Sequence, residues 1–289
     1  MASQGQSVFG EAINLYRVVF ADPGRIVRFL GMPAVFSVAS ALFFQLRSLQ
    51  YQRQQPDDNQ WAEFGLIFLV MVVFQTWAHV RSLSAWSRWV QSGTEPLTFL
   101  QPGFGRNEWN VVGWQILYFL MLMIMLLVVF FVARLGFDQA SGDQVGPGFW
   151  LAALAGVIAF GVALLHVTVR LGVGLVAILL GEPAQFGRYW RAVTPLAWRL
   201  TGVVLVSQML LQVPLLLCNR LIMGEWLAGD AVTSQDVTVS LAWTGVAAIV
   251  NFVCVALLAV ALARTYKAVT RDAAPAVILP AGLHGEDGR

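Results

Sequence analysis

Residues Phe149–Leu180 read FWLAALAGVIAFGVALLHVTVRLGVGLVAILL, thirty-two positions whose only ionisable side chains are His166 and Arg170. A helix rises about 1.5 Å per residue, so this run extends about 48 Å, against a bilayer hydrocarbon core of about 30 Å. It reads as a membrane-spanning helix with an apolar overhang. Trp150 and the preceding Gly146-Pro147-Gly148 turn fix its outer end, which places Arg170 at the inner boundary. Sliding the helix inward would draw Arg170 toward mid-membrane at a cost of about 2.5–3.5 kcal/mol. The overhang is therefore Leu171–Leu180, ten residues without a polar side chain. Such a segment does not stay bare in water. It is expected to pack beneath helices around Trp86 and Trp190, or to offer Val173, Val176 and Leu179 as a docking face for a partner membrane protein.

The chain around this run has the same character. Of 289 residues, 58% are hydrophobic and 12% charged, with a mean hydropathy of +0.69. Soluble domains carry about 25% charged residues, so no water-facing surface is available for a chain of this length. Runs long enough to span fall at Phe29–Leu46, Phe64–Val80, Val111–Val132, Phe149–Val169, Leu200–Cys218 and Leu241–Ala263. The expected fold is all-α, a polytopic bundle of six transmembrane helices with short amphipathic helices at the cytoplasmic interface. Ala39-Ser40-Ala41 resembles a signal cleavage site, but the preceding lead contains Glu11 and Asp22 and the apolar run continues past it, so cleavage is not expected.

Basic residues are retained on the cytoplasmic side of a membrane. Alternating the six runs puts fourteen of the eighteen Lys and Arg residues on one side and only Arg47, Arg53, Arg134 and Arg220 on the other. Both termini are thus expected in the cytoplasm. Residues 1–28 then form a cytoplasmic amphipathic segment, 29–263 the membrane domain, and 264–289 a mostly disordered tail. Tryptophans agree with the boundaries: Trp61, Trp150 and Trp243 open spans on the outer side, and Trp77, Trp109, Trp114 and Trp198 lie near inner ends.

Three inner segments have helical periodicity. Phe186, Trp190, Val193 and Ala197 form one stripe, with Arg188, Arg191 and Arg199 projected to the opposite face. Such a helix lies in the interface with its guanidiniums among anionic headgroups. Thr194-Pro195 is expected to split it, Thr194 capping a new helix. Phe9, Ile13, Tyr16 and Phe20 form a second stripe, ended by Asp22-Pro23-Gly24. Leu83, Trp86 and Val90 form a third. Tyr16-Arg17, Trp190-Arg191 and Tyr266-Lys267 echo one another, as do Gly93-Thr94-Glu95-Pro96 and Gly181-Glu182-Pro183. These echoes suggest three tandem units, but the aromatic-basic pairing common at inner boundaries is the better reading, because they have no fixed period.

The available chemistry is sparse. A net charge of +2 gives no basic face for nucleic acid. No acidic residue falls within a run, which argues against ion-coupled transport. His166 and Arg170 share a helix face and form a lipid-headgroup candidate together with Arg188 and Arg191; the plainer reading is an arginine snorkelling to the interface above a histidine. Gln115, Gln208, Gln212 and Asn251 are intramembrane polar candidates, either hydrogen-bonding neighbouring helices or lining a solute path. Cys218 and Cys254 lie at different depths and suit neither a disulfide nor a zinc site. Zinc-protease, phosphate-loop and serine-elbow motifs are absent from the sequence, so no catalytic residue, metal or cofactor is expected.

Trp86-Ser87-Arg88-Trp89-Val90 through Arg106-Asn107-Glu108-Trp109, Val169-Arg170-Leu171 through Gly181-Glu182-Pro183, and Ala263-Arg264-Thr265-Tyr266 occur in that order. Together they resemble uncharacterised six-span bacterial inner-membrane proteins, and distantly the membrane domain that precedes some glycerophosphodiester phosphodiesterases. The resemblance implies the fold and a bacterial inner membrane, and supplies no catalytic residue. The expected function is a non-catalytic envelope or accessory protein that organises lipids or a partner membrane complex. The alternative is a small permease or lipid-handling transporter for an uncharged or lipidic substrate.

Overall fold

A computed structural model describes residues 7–53, 58–93, 105–120 with 123, 147–224 and 234–273. Every regular element among them is helical. In chain order these are α1 (Val8–Phe20), α2 (Pro23–Arg53), α3 (Asp58–Ser92), α4 (residues 106–120), α5 (Pro147–Leu179), α6 (Phe186–Val193), α7 (Ala197–Gly224) and α8 (Ser234–Ala273). A single 3-10 turn, Thr194–Leu196, joins α6 to α7. Five segments are long and apolar enough to cross a membrane: Pro23–Ser48, Ala62–Ser92, Ala155–Leu179, Phe186–Cys218 and Thr238–Arg271. The chain is a multi-pass helical membrane protein. Residues 121–122 and 124–132 of the third apolar run lie outside the described residues, as do residues 54–57, 94–104, 133–146, 225–233 and 274–289.

The helix ends follow from local chemistry. Ser7 caps α1 by accepting the Gly10 amide at 3.1 Å. Asp22 accepts the Arg25 amide at 3.2 Å and stands before Pro23 at the first position of α2, where a missing N–H costs nothing. Gly181, at φ +94°, ends α5: its amide reaches the Ile178 carbonyl and the Glu182 amide reaches that of Ala177, each at 3.0 Å. This paired closure needs a left-handed residue, which only glycine adopts cheaply. Gly93, at φ +67°, ends α3 by a simpler bond to the Trp89 carbonyl. The two glycines of the sequence echo are thus matching helix stops.

The buried residues gather at one end of the bundle. They come from α1 (Ala12, Leu15, Val19), the start of α2 (Phe29, Leu30), the end of α3 (Val80, Leu83, Trp86), the end of α5, the start of α7 (Leu200, Val204) and the second half of α8. α8 runs through the middle of this end and touches α1, α2, α3, α5, α6 and α7. Away from it the helices expose apolar side chains: Leu66 is 62% exposed, Val157 67% and Leu216 61%. Such surface suits contact with acyl chains.

The overhang of α5 is covered by the chain itself. Val173 and Val176 are fully buried and Leu179 nearly so, which corrects the expectation that they form a docking face. Glycines allow the close approach. A methyl group at Gly172 would fall 2.6 Å from the Leu262 side chain, and at Gly174 2.7 Å from the Phe186 ring. Two further expectations change. Leu83, Trp86 and Val90 belong to the unbroken α3, and Trp86 is wholly buried against Phe29 and Trp89, with ring centroids 5.1 and 5.7 Å away. α8 also continues to Ala273, with Tyr266 buried, so residues 264–273 are helix and not tail.

Candidate functional site

The packed end also carries the ionic contacts. Arg170, one turn beyond His166 on α5, reaches α6. Its Nη2 donates to the Trp190 carbonyl at 2.9 Å and to the Thr194 hydroxyl at 2.5 Å, and its guanidinium lies 3.8 Å from the Trp190 ring centroid. A cation over indole and at a helix C-terminus is doubly stabilised. Thr194 itself donates back to the Trp190 carbonyl at 2.9 Å, so it closes α6 and does not cap α7 as its sequence position suggested. His166 stacks on Trp198, centroids 4.2 Å apart, and its Nδ1 lies 3.0 Å from the Thr201 hydroxyl. Both residues therefore join α5 to the α6–α7 corner. The snorkelling arginine of the plainer reading is here an interhelix tie.

Arg188 and Arg191 are exposed on α6, opposite the buried Tyr189 and Val193. Among the described residues, Arg191 Nε donates to the Gly187 carbonyl alone, 3.3 Å away on its own helix. Glu182, in the turn before α6, accepts hydrogen bonds from both Tyr189 and Tyr266, tying α6 to α8.

Glu108, which the sequence presents only as part of the Arg106–Trp109 stretch, is the centre of an ionic cluster. It is 2% exposed and takes hydrogen bonds from Ser84 at 2.7 Å, from Arg81 and Arg88 at 3.3 Å, and from the Gly105 amide at 2.9 Å. Arg81, Ser84 and Arg88 share one face of α3, and Glu108 stands three residues after Gly105 at the start of α4. That Gly-x-x-Glu spacing is half of a capping box, and it was the available signal. Elsewhere Arg199 on α7 holds Glu11 on α1 through two hydrogen bonds of 3.1 and 2.5 Å. Lys267 on α8 donates to the Val90 carbonyl at 3.0 Å, capping the last turn of α3. Tyr16 donates to the Ser207 carbonyl at 2.6 Å, and burial pushes its phenol above the ordinary value, so it remains a donor.

The intramembrane polar candidates do not converge. Gln212 on α7 donates to Cys254 on α8 at 3.6 Å, whereas Asn251 is exposed. Gln208 and Gln115 are half-buried on α7 and α4. The clearest interhelix amide is Gln75 on α3, which accepts from Ser37 at 2.6 Å and donates to Ser40 at 3.2 Å. Among the described residues, no group of three or more His, Cys, Asp or Glu side chains is arranged to hold a metal ion. The chain matches no family model, no curated protein and no solved structure. What the fold and site define is its class, a helical multi-pass membrane protein with one ionically cross-tied end.

Proposed function

We propose that the chain is a non-catalytic protein of a bacterial cytoplasmic membrane, with six spans and both termini in the cytoplasm, that organises anionic lipid headgroups or a partner membrane protein at the inner leaflet. One observation carries this reading: the densely packed end is also the end rich in Lys and Arg. There Arg81, Arg88, Arg170, Arg199 and Lys267 are engaged in ties between helices, while Arg188 and Arg191 are left exposed on α6. α1 supports it too. Its Ala12, Leu15 and Val19 are buried in the chain, while Phe9, Ile13 and Phe20 form a separate exposed apolar face. A helix divided in this way suits the headgroup boundary. In this reading α4 begins the remaining span, as in the six-span inner-membrane proteins that the sequence resembles.

The test is lipid retention by the intact protein. Each basic residue near an anionic surface contributes about 1 kcal/mol, falling with salt. Purified in mild detergent and analysed by native mass spectrometry, the protein should keep phosphatidylglycerol or cardiolipin in preference to phosphatidylcholine. The double variant R188Q/R191Q should keep less at unchanged helix content. Indifference to headgroup charge in both proteins overturns the reading.

A further inference from the structure

A pocket of about 350 Å³ opens between α1, α7 and α8 at the packed end. That lies within the range of about 300–1,000 Å³ typical of small-molecule sites. Its lining brings Glu11 and Asn14 from α1, Arg199 from α7 and the exposed Arg264 from α8 together with the apolar Leu15, Leu196 and Leu200. Arg199 is committed to Glu11. Arg264 forms no hydrogen bond or ion pair with any described residue. The charges do not cancel: two guanidiniums face one carboxylate, a surplus of one positive charge. A guanidinium presents five donors in a planar fork that matches phosphate oxygens two at a time.

We propose that this pocket binds a phosphate group of single negative charge on an amphiphile, with the anion on Arg264 and Asn14 and the adjoining glycerol and methylene groups along Leu15, Leu196 and Leu200. The charge surplus, the uncommitted guanidinium and the apolar lining each call for one part of such a ligand. A phosphodiester lipid headgroup supplies all three parts, and a free phosphate supplies the first alone. The lipid source rests on the proposed inner-leaflet placement of this end; the anion site does not.

The experiment titrates the full chain in maltoside detergent with short-chain phosphatidylglycerol, short-chain phosphatidylcholine and inorganic phosphate, read by native mass spectrometry. Phosphatidylglycerol should bind, phosphatidylcholine should bind more weakly, and R264Q should weaken phosphatidylglycerol binding at least tenfold. R264K, which keeps the charge but not the fork, should fall between. A268W, at a partly exposed lining position, fills the pocket without removing a charge and should abolish binding; its unliganded melting temperature reports the fold independently of Arg264. Phosphate binding as tightly as the lipid, with the same Arg264 dependence, supports the anion site and identifies the free ion as its source. Wild-type affinity in both R264Q and A268W overturns the proposal, as does absence of binding by all three ligands. R188Q/R191Q should lower the total phosphatidylglycerol retained but leave the Arg264-dependent part of this titration unchanged, so failure here and failure of the lipid-organising reading are seen separately.

Discussion

At Glu108 one carboxylate serves two arginines, a hydroxyl and a helix-opening amide. Removing one member of a buried ion pair costs about 3–5 kcal/mol, because the charge left behind loses both its water and its partner. E108Q takes one counter-charge away from two guanidiniums at once. It should therefore lower the melting temperature in detergent more than R88Q, which leaves Arg81, Ser84 and Gly105 on the carboxylate. A wild-type melting curve for E108Q would show that the cluster does not tie α3 to α4. Trp86 makes a second case: truncation to alanine empties the space between Phe29 and Trp89, at about 3–5 kcal/mol. The spacing of Arg81, Ser84 and Arg88 suits one helix face but carries no sign of their counter-charge, because Glu108 joins them only across a helix-helix contact. His166 and Arg170 were legible as a pair for the opposite reason, being one turn apart on one helix. Their partners Trp198, Thr201 and Trp190 lie on elements that no spacing rule relates to α5.

The apolar spans were legible because apolar length is additive along a chain; the helices that carry them run to 28–40 residues. Their continuation beyond the bilayer was less so. The apolar stripe around Trp86 has the same helical period whether it turns to lie in the interface or continues α3, and periodicity alone does not distinguish the two. Gly181 and Gly161 separate two uses of glycine. At φ +94° an alanine at 181 adopts a left-handed conformation that costs about 1–2 kcal/mol. Gly161 is exposed in the middle of α5, with nothing within 4 Å of an added methyl group, so alanine there should gain up to about 1 kcal/mol. G181A and G161A should thus shift the thermal midpoint in opposite directions. A shift of the same sign would mean that α5 does not end at Gly181 as described.

Across the whole molecule, sidedness and packing yield separate measurements. Reporter fusions at Asp143 and Asp272 should signal from opposite faces of the membrane, because the two positions are separated by an odd number of spans in the proposed topology. Same-side signals would refute it. In inverted membranes and a C218S background, Val173→Cys, Val176→Cys and Leu179→Cys should resist a water-soluble thiol reagent, while Arg188→Cys should react fully. Full labelling at all four would mean that the end of α5 is solvated. The central place of α8 has a further consequence, for the order in which the protein is made. Every other helix described precedes it in the chain, so while α1 to α7 emerge from the ribosome the faces bearing Leu15, Val80, Val176 and Val204 have no central helix to close on. Synthesis at about 5–20 residues per second leaves this gap open for seconds. The bilayer must hold a set of inserted but unassembled spans until α8 arrives, and chains stalled before Ser234 should be prime substrates for membrane chaperones and proteases.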